Sequence, residues 1–248
     1  MNAIYVLVLR QLKRTSRSRA RMLSALGQPL LFLLGLGFGL GPIFQRAGQG
    51  NYLQFLAPGV ICMSILFTAV LTGIELIWDR QFGFLKETLV APVPRIYIMA
   101  GRTLGGAIVA LLQGSVMTVF CLIAGFRITH PESLPGALLF MVLIAVMFTA
   151  LGTALASVLS DFQAFQLVMN LLIMPLFFLS GALFPLDFVS STMAIVAKLN
   201  PLTYGVDGVR GSLIGVWHFS AVHDAGVLAV IVVVLVSLGT FLFSRIQL

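Results

Sequence analysis

The residues of this chain that could carry out chemistry are few, and their spacing does not suit it. Three histidines, His130, His218 and His223, lie in polar stretches between apolar segments, without a Cys partner or the HExxH spacing of a metal site. The nearest ligand pair is His223-Asp224, which we interpret as a solvated helix start. The sequence contains no Walker motif for binding nucleotide phosphates. We therefore expect a chain that is not catalytic by itself and that binds no cofactor or metal.

Ionisable groups inside the apolar segments are also scarce. This matters because ion-coupled carriers place such groups within their membrane spans, where a charge is costly and tends to be functional. Glu75 is the exception, near the end of an apolar segment. Its position favours a carboxylate that reaches the membrane interface or pairs with a basic residue of the N-terminal tail, and a proton-relay role is the alternative. If the chain moves a solute, its energy source lies outside the chain.

The elements that must position these residues are membrane helices. Hydrophobic residues make up 59% of the 248 residues and charged residues 9%, and mean hydropathy is +1.07, which excludes an ordinary soluble domain. The apolar runs are continuous, which favours helices over a transmembrane barrel. The sequence predicts a single all-α polytopic membrane domain over residues 1–248. Six spans are expected, at roughly 23–41, 55–77, 103–125, 136–159, 164–184 and 225–244.

Orientation follows from the distribution of basic residues. The formal charge of +7 would suggest nucleic acid as a partner of a soluble protein, but here the basic residues cluster at the ends of apolar segments and act as topology signals. With the N-terminus in the cytoplasm, eleven of the fifteen Lys and Arg residues lie on the cytoplasmic side. We therefore predict that both termini and the segment 78–102 are cytoplasmic, and that nucleic acid is not a partner.

The N-terminal segment 1–22 has apolar residues at helical spacing followed by a basic run. This pattern is typical of an amphipathic helix that lies in the membrane interface, where it can contact lipids and a cytoplasmic partner. The alternative is a basic tail that only directs topology. The basic residues assigned to the predicted interface helix are Arg10, Lys13, Arg14 and Arg17.

The segment 78–102 is a charged island between two apolar stretches. Over about ten residues from Arg80 it predicts a short amphipathic helix, which Pro92 and Pro94 then end. Phe82 and Phe84 lie between charged residues and have the character of apolar anchors within a polar rim, as in a docking site for a soluble partner. The alternative is that they rest on lipid headgroups. The complete set of candidate docking residues is Arg80, Phe82, Gly83, Phe84, Leu85, Lys86 and Glu87.

The segment 185–224 is predicted to be external, yet it is mostly apolar. Two stretches of about ten residues, around 193–199 and 204–216, are too short to span a membrane and are separated by Asn200-Pro201. They predict re-entrant half-helices before the last span. Tyr204 and Trp217 suit an aromatic position at the membrane interface. The candidate external gate residues are Pro185, Asn200, Pro201 and Tyr204.

Four stretches of the sequence are similar to ABC-2 type permeases, the membrane subunits of ATP-binding-cassette exporters. They are FLAPGV at 55–60, GFLKETLVAPVPR at 83–95, FLSGALFPLDFV at 178–189 and LNPLTYGVDGVRG at 199–211. Each stretch alone is moderately specific for the family, and their order and spacing together are strong evidence for the resemblance. The resemblance extends over nearly the whole chain and is greatest to the branch that exports drugs and nodulation factors.

The resemblance implies roles for the segments described above. The stretch 80–87 would be the coupling helix that docks on a separate ATPase subunit, which would bind the ATP and Mg. The basic stretch 10–21 would flank that contact, and the half-helices within 188–216 would close the exit. Family members combine two membrane subunits with two ATPase subunits, so a homodimer with the first and fifth spans at its interface is expected.

The resemblance further implies export by alternating access from the bacterial cytoplasmic (inner) membrane. The cargo would be amphipathic or lipid-like, such as a drug, a lipid or a lipid-linked glycan. A self-contained secondary transporter or channel is the main alternative, and the lack of paired charges within the spans weighs against it. A membrane-embedded enzyme or scaffold is a third, which the absence of a catalytic cluster in the sequence disfavours.

Overall fold

The computed structural model describes residues 3–46, 50–90, 93–186 and 191–246. Over these ranges the chain is all-helical, with 85% helix and no strand. A 3-10 turn at Pro131–Ser133 precedes the seventh helix. The helices are α1 (Ala3–Ser16), α2 (Arg19–Gly39), α3 (Gly41–Arg46), α4 (Tyr52–Gln81), α5 (Phe84–Val90), α6 (Arg95–Ile123), α7 (Leu134–Val158), α8 (Phe162–Phe178), α9 (Ser191–Leu199), α10 (Pro201–Ile214) and α11 (Ala221–Ser244).

Five helices of the described chain are long and apolar enough to cross a membrane: α2, α4, α6, α7 and α11. α8 lies in the region of the predicted fifth span, 164–184. It is apolar but has only 17 residues. At 1.5 Å per residue this is about 25 Å, slightly less than a typical hydrocarbon core. The predicted end at 184 is wrong, because the chain turns after Phe178 and Gly181 takes φ +72°, which a helix cannot continue through. A total of six spans stays a prediction.

The core is built around α4, which packs against α2, α6, α7 and α10. Small residues let these helices approach closely. A Cβ added to Gly73 of α4 would lie 2.4 Å from the carbonyl oxygen of Gly152 on α7. One added to Gly59 would lie 2.6 Å from the carbonyl oxygen of Ala182. Such backbone contact is typical of helix packing in membranes, where close van der Waals contact replaces the hydrophobic effect.

The segments predicted to be cytoplasmic lie together at one end of the bundle. Gln81, at the end of α4, donates from Nε2 to the carbonyl oxygen of Ser160 at 3.4 Å. Arg95, at the start of α6, donates to the carbonyl oxygens of Ser244, the last residue of α11, and of Ile246. The end of the last helix is therefore tied to the start of α6, at the end of the bundle where α5 lies.

The segments predicted to be external lie together at the opposite end. The Tyr52 hydroxyl donates to the carbonyl oxygen of Leu183 at 3.1 Å. The backbone N–H of Thr129 donates to the carbonyl oxygen of Leu213 at 3.1 Å. The two groups of segments separate as the predicted topology requires, and which end faces the cytoplasm stays a prediction.

Orientation can be tested with single cysteines, because the native Cys62 and Cys121 are both buried. We expect a membrane-impermeant maleimide to label Glu132→Cys on intact cells and to leave Lys86→Cys unlabelled until the cells are opened. Both positions are exposed, so either label can reach its thiol if it reaches that side of the membrane. The opposite pattern would show that the chain is inserted the other way round.

Candidate functional site

The candidate docking segment consists of a turn and a short helix. α4 continues through Arg80 to Gln81, Phe82 and Gly83 form a turn, and α5 begins at Phe84. The prediction of one helix over 80–87 is therefore wrong in its bounds. Gly83 has φ +81°, in the left-handed region that ends a helix and favours glycine. Pro92, predicted to end this helix, lies outside the described residues.

The exposed part of this segment forms an apolar surface with charged neighbours. Phe82 is 72% exposed, Phe84 51% and Val90 83%, while Lys86 and Glu87 are also exposed. We call these five residues the docking surface. Large exposed apolar side chains are typical of a binding surface when they lie beside charged residues at the water-facing end of a membrane protein.

Three of the predicted docking residues do not contribute to that surface. Gly83 has no side chain and forms the turn before α5. Leu85 is fully buried and belongs to the core, so its assignment to docking is wrong. Its burial has a physical cause, since α5 packs back against α4 and one side of the short helix must face the bundle. Arg80 lies in the last turn of α4 and is only partly exposed. Sequence reasoning did not single out Val90, whose side chain is also exposed.

A partly buried ion cluster lies beside the docking segment, on the facing sides of α1, α4 and α6. Asp79 of α4 is at its centre and is almost fully buried. Arg102 of α6 donates from Nη2 to Asp79 Oδ2 at 2.5 Å. Arg10 of α1 donates to both Asp79 oxygens at 3.3 and 3.4 Å. Arg14 Nη1 lies 3.7 Å from Asp79 Oδ1 and 3.7 Å from Glu75 Oε2.

The pairing of Glu75 with Arg14 confirms the prediction that this carboxylate pairs with a basic residue of the N-terminal tail. Asp79 carried no predicted role. It follows Glu75 by four positions, so both carboxylates lie on one face of α4, and this spacing was available in the sequence. The arginines that neutralise the two carboxylates come from helices distant in sequence. Together these five residues tie three helices at the predicted cytoplasmic end.

The N-terminal helix takes this position because α6 offers it a groove. A Cβ added to Gly101 would lie 2.9 Å from the Cβ of Leu7, and one added to Gly105 would lie 2.9 Å from the Cβ of Gln11. α1 therefore packs on the backbone of α6, which brings Arg10 and Arg14 to Asp79.

The four basic residues assigned to the predicted interface helix divide into two pairs. Arg10 and Arg14 enter the ion cluster, in which the Arg10 side chain stays 42% exposed. Lys13 and Arg17 are exposed on the surface of α1 and just after it. The predicted extent of 1–22 is wrong, because α1 ends at Ser16 and the chain begins α2 at Arg19. The Arg17-Ser18 break separates the helix that contacts α6 from the first span.

The predicted half-helices of the external segment are confirmed as α9 and α10, divided at Asn200-Pro201; residues 188–190 lie outside the described ranges. Asn200 caps α10, since its side chain accepts from the N–H of Leu202 at 3.0 Å and donates to the carbonyl oxygen of Leu176 at 2.6 Å. Pro201 is the first residue of α10, where its missing N–H costs nothing. The position of the division thus follows directly from these two residue types.

The other two predicted gate residues have different surroundings. Pro185 borders a cavity of about 430 Å³ at the external end. Tyr204 was expected at the membrane interface, and this is wrong, because Tyr204 is buried within the chain. Its hydroxyl donates to the carbonyl oxygen of Lys198 at 2.6 Å. Its ring contacts those of Phe219 and His223, with centroid distances of 5.4 and 5.6 Å.

Arg210 of α10 connects this helix to two neighbouring elements and also lines the cavity. Its Nη2 donates to the carbonyl oxygen of Gly181 at 2.9 Å and to that of Phe55 at 3.4 Å. The guanidinium lies 3.9 Å from the centroid of the Phe55 ring. Burial lowers the pKa of Arg210 to about 10, and Asp207 opposes that shift. Arg210 is therefore still charged at neutral pH, and its charge is spread over carbonyl oxygens and an aromatic face.

Two buried carboxylates at this end were missed by sequence reasoning. Asp207 accepts from the N–H groups of His218 at 2.9 Å and Phe219 at 2.8 Å. Asp224 lies in the first turn of α11 and is 0% exposed. The interpretation of His223-Asp224 as a helix start is confirmed, with Ser220 as its cap. That the start is solvated is wrong for Asp224, because its side chain points into the bundle.

Metal ligation finds no support in the part of the chain that the structure describes, where no three His, Cys, Asp or Glu side chains group around one point. What the arrangement does offer is an exposed apolar surface at one end, two short helices at the other, and a long buried helix between them. Together with five helices long and apolar enough to cross a membrane, it defines a polytopic membrane protein.

Comparison with known proteins identifies the family. The model of the ABC-2 type transporter family matches residues 2–214, and the chain belongs to this family. A putative transport permease, ycf38 of Cyanophora paradoxa, is 32% identical over 214 residues, which cover 84% of this chain and 72% of the relative. Nodulation protein J of Rhizobium leguminosarum bv. trifolii is 30% identical over 228 residues, covering 91% and 86%. The inner membrane transport permease YadH of Escherichia coli K12 is 30% identical over 184 residues, covering 74% and 71%.

Proposed function

We propose that this chain is the membrane subunit of an ATP-driven exporter. A separate ATPase subunit, which holds the ATP and Mg, binds the docking surface of Phe82, Phe84, Lys86, Glu87 and Val90. Its cycle drives an amphipathic or lipid-like substrate out of the cytoplasm by alternating access. The observation that carries the proposal is the exposure of three large apolar side chains on a short helix at the charged end of the bundle. Membership of a transport-permease family supports it.

The position of the docking surface lets it act on the core. Only Phe82 and Gly83 separate α5 from α4, and Leu85 anchors α5 to the bundle. A movement of α5 is therefore transmitted to α4, which runs through the core to the external end. There the carbonyl oxygen and ring of Phe55 contact Arg210 of α10. In the proposed cycle, α4 couples ATPase movement to the half-helices that close the exit.

The proposed cargo class is supported by a cleft among α1, α2, α4 and α6. It has a volume of about 220 Å³ and lies beside Glu75, near the ion cluster. Apolar side chains such as Leu71 and Ile74 line it together with the polar side chains of Gln11 and Gln113. A molecule with an apolar body and a polar end matches this lining. The relatives are named for transport and for nodulation, and none of these names specifies a cargo.

We further propose a homodimer of the permease that joins two ATPase subunits. The predicted interface spans, α2 and α8, are neighbours: the ring of Phe32 contacts those of Phe177 and Phe178 at centroid distances of 5.9 and 6.4 Å. Both helices present large apolar side chains to the outside, including Leu31 and Leu171. A second copy or membrane lipid covers such a face. The bacterial cytoplasmic membrane is the proposed location, supported by the relative named as an inner membrane permease.

The test is reconstitution of the permease with a co-expressed ATPase subunit in inside-out proteoliposomes. We expect ATP to drive uptake of fluorescent lipids or amphipathic dyes, and an ATPase variant lacking its Walker lysine to abolish it. Asp207 and Asp224 are buried carboxylates of the kind a secondary carrier uses. An ion gradient without ATP is therefore the matched control. Uptake driven by that gradient alone would replace the exporter proposal with a secondary carrier.

A further inference from the structure

One side of α1 carries a strip of positive charge. Four basic residues follow the i, i+3, i+4, i+7 spacing that places side chains on one face of a helix, and no acidic residue lies among them. Arg17 directly follows α1, but its N–H donates to the carbonyl oxygen of Lys13 at 3.2 Å, so it keeps a helical position. We call these four residues the basic strip: Arg10, Lys13, Arg14 and Arg17.

The basic strip lines an open groove. Together with the apolar side chains of Val6 and Leu9 it borders a volume of about 570 Å³, and all six residues belong to α1 or directly follow it. α6 packs on a different side of α1, where Gly101 approaches Leu7 and Gly105 approaches Gln11. The groove can therefore be reached from outside the bundle.

The positive charge of this region exceeds the negative charge that faces it. The basic strip pairs with two carboxylates, Glu75 and Asp79, and Asp79 also binds Arg102. Five basic side chains thus share two carboxylates, which leaves an excess of three positive charges. In the part of the chain that the structure describes, Lys13 and Arg17 pair with no carboxylate. The groove therefore suits a negatively charged ligand.

The two arginines of the strip keep donors for such a ligand. Within the described chain Arg10 binds Asp79 through Nη2 alone, and its side chain is 42% exposed. Arg14 approaches Asp79 and Glu75 only to 3.7 Å, and its side chain is 31% exposed. A guanidinium has five N–H donors in a planar fork that suits phosphate oxygens. Both arginines can therefore bind a phosphate without leaving the carboxylates.

The place of the groove selects a lipid as the source of that phosphate. The strip ends at Arg17, and α2, a helix long and apolar enough to cross a membrane, begins at Arg19. The ring of Trp78, a residue type that prefers the level of the head groups, lies 5.9 Å from the Arg14 guanidinium. A free phosphate ion would leave the apolar side chains of the groove in water, whereas the acyl chains of a phospholipid cover them.

We propose that this groove is a binding site for a phospholipid with an anionic head group. The phosphate lies on the basic strip, and the first acyl carbons lie on Val6 and Leu9. The bound lipid balances the excess charge and holds α1 against α4 and α6 from its outer side. The site differs from the general attraction of a charged membrane surface, because Asp79 and Glu75 position two of its four cations.

Quenching of Trp78 by brominated phospholipids tests the site, because this ring lies beside Arg14. The chain has two tryptophans, so the parent for this measurement carries Trp217→Phe. It is reconstituted in phosphatidylcholine vesicles with increasing fractions of phosphatidylglycerol or phosphatidylcholine brominated near the glycerol. We expect half-maximal quenching at a phosphatidylglycerol fraction about 25-fold lower than that of phosphatidylcholine, since Lys13 and Arg17 each contribute about fivefold at an anionic surface.

A charge-removing variant and two matched variants locate the preference. Lys13→Gln with Arg17→Gln should make the two lipids quench alike. Both side chains are exposed, so the unfolding temperature in phosphatidylcholine should equal that of the parent. Lys13→Arg with Arg17→Lys keeps the charge and should keep the preference. Arg80→Gln with Lys86→Gln removes two charges at the same end of the bundle but outside the groove, and should also keep it.

The outcomes separate the lipid from other ligands. Equal quenching by the two lipids in the parent overturns the proposal, and so does equal loss of preference in the groove variant and in Arg80→Gln with Lys86→Gln. Inorganic phosphate at constant ionic strength and the ATPase subunit are added as competitors, and relief of quenching by either would assign the groove to that ligand instead. The measurement needs neither ATP hydrolysis nor transport. Its failure therefore leaves the exporter proposal intact, and failure of ATP-driven uptake leaves the lipid site intact.

Discussion

Phe84→Asp is expected to abolish co-purification of the ATPase subunit and stimulation of its activity while the permease still folds and inserts. Phe84 is 51% exposed and lies at the start of α5, so a charge at this position stays solvated and disturbs no core contact. Truncation of a buried aromatic anchor at an interface costs about 2 kcal/mol or more, which weakens binding about 30-fold. A buried aspartate adds a desolvation cost to that loss.

Two matched variants distinguish docking from general damage. Phe84→Leu keeps an apolar side chain and should retain most of the binding. Ile43→Asp places the same charge on an exposed apolar position at the opposite end of the bundle and should leave the ATPase bound. Unchanged co-purification with Phe84→Asp would remove the docking surface from the mechanism, and equal loss with Ile43→Asp would indicate damage to the membrane domain.

Features with local causes could be predicted from the sequence. Asn200-Pro201 combines a residue that caps helices with one that tolerates only the first helical turn, and α10 begins there. The charged island after the second span predicted a wet docking segment, and its exposed phenylalanines are where the pattern placed them. The ATPase as docking partner and the exit-closing role of the half-helices came from the resemblance to ABC-2 permeases, since periodicity and charge alone identify neither.

Features set by tertiary contacts could not be predicted. The burial of Leu85 depends on how α5 folds back on α4, and a seven-residue helix has too few positions to reveal which side faces inward. Asp224 follows a histidine at a helix start, a position that is solvated in most proteins. Its burial results from α10, a half-helix that packs against both α7 and α11. The two arginines that donate hydrogen bonds to Asp79, Arg10 and Arg102, lie 69 positions before it and 23 after it.

Removal of the Asp79 carboxylate is expected to be the most destabilising single change at the cytoplasmic end. In Asp79→Ala, Arg102 would keep a nearly buried guanidinium without its 2.5 Å partner. Breaking a buried ion pair on one side costs about 3–5 kcal/mol, because the remaining charge is uncompensated. Thermal unfolding of the purified chain measures the loss. Glu87→Ala, at an exposed position of the docking surface, is the control and should leave the unfolding temperature unchanged.

The same variant should also detach the N-terminal helix, because Arg10 and Arg14 both contact Asp79. Trypsin cleavage at the exposed Arg17 should then accelerate relative to wild type. A double variant, Asp79→Leu with Arg102→Met, removes both buried charges and should recover much of the stability, since apolar replacements of a buried pair are often neutral or stabilising. It should not recover protease resistance at Arg17, because the leucine at position 79 offers no carboxylate to Arg10 and Arg14. Recovery of both properties would show that α1 is held by its apolar contacts with Gly101 and Gly105 and that the ion cluster is dispensable.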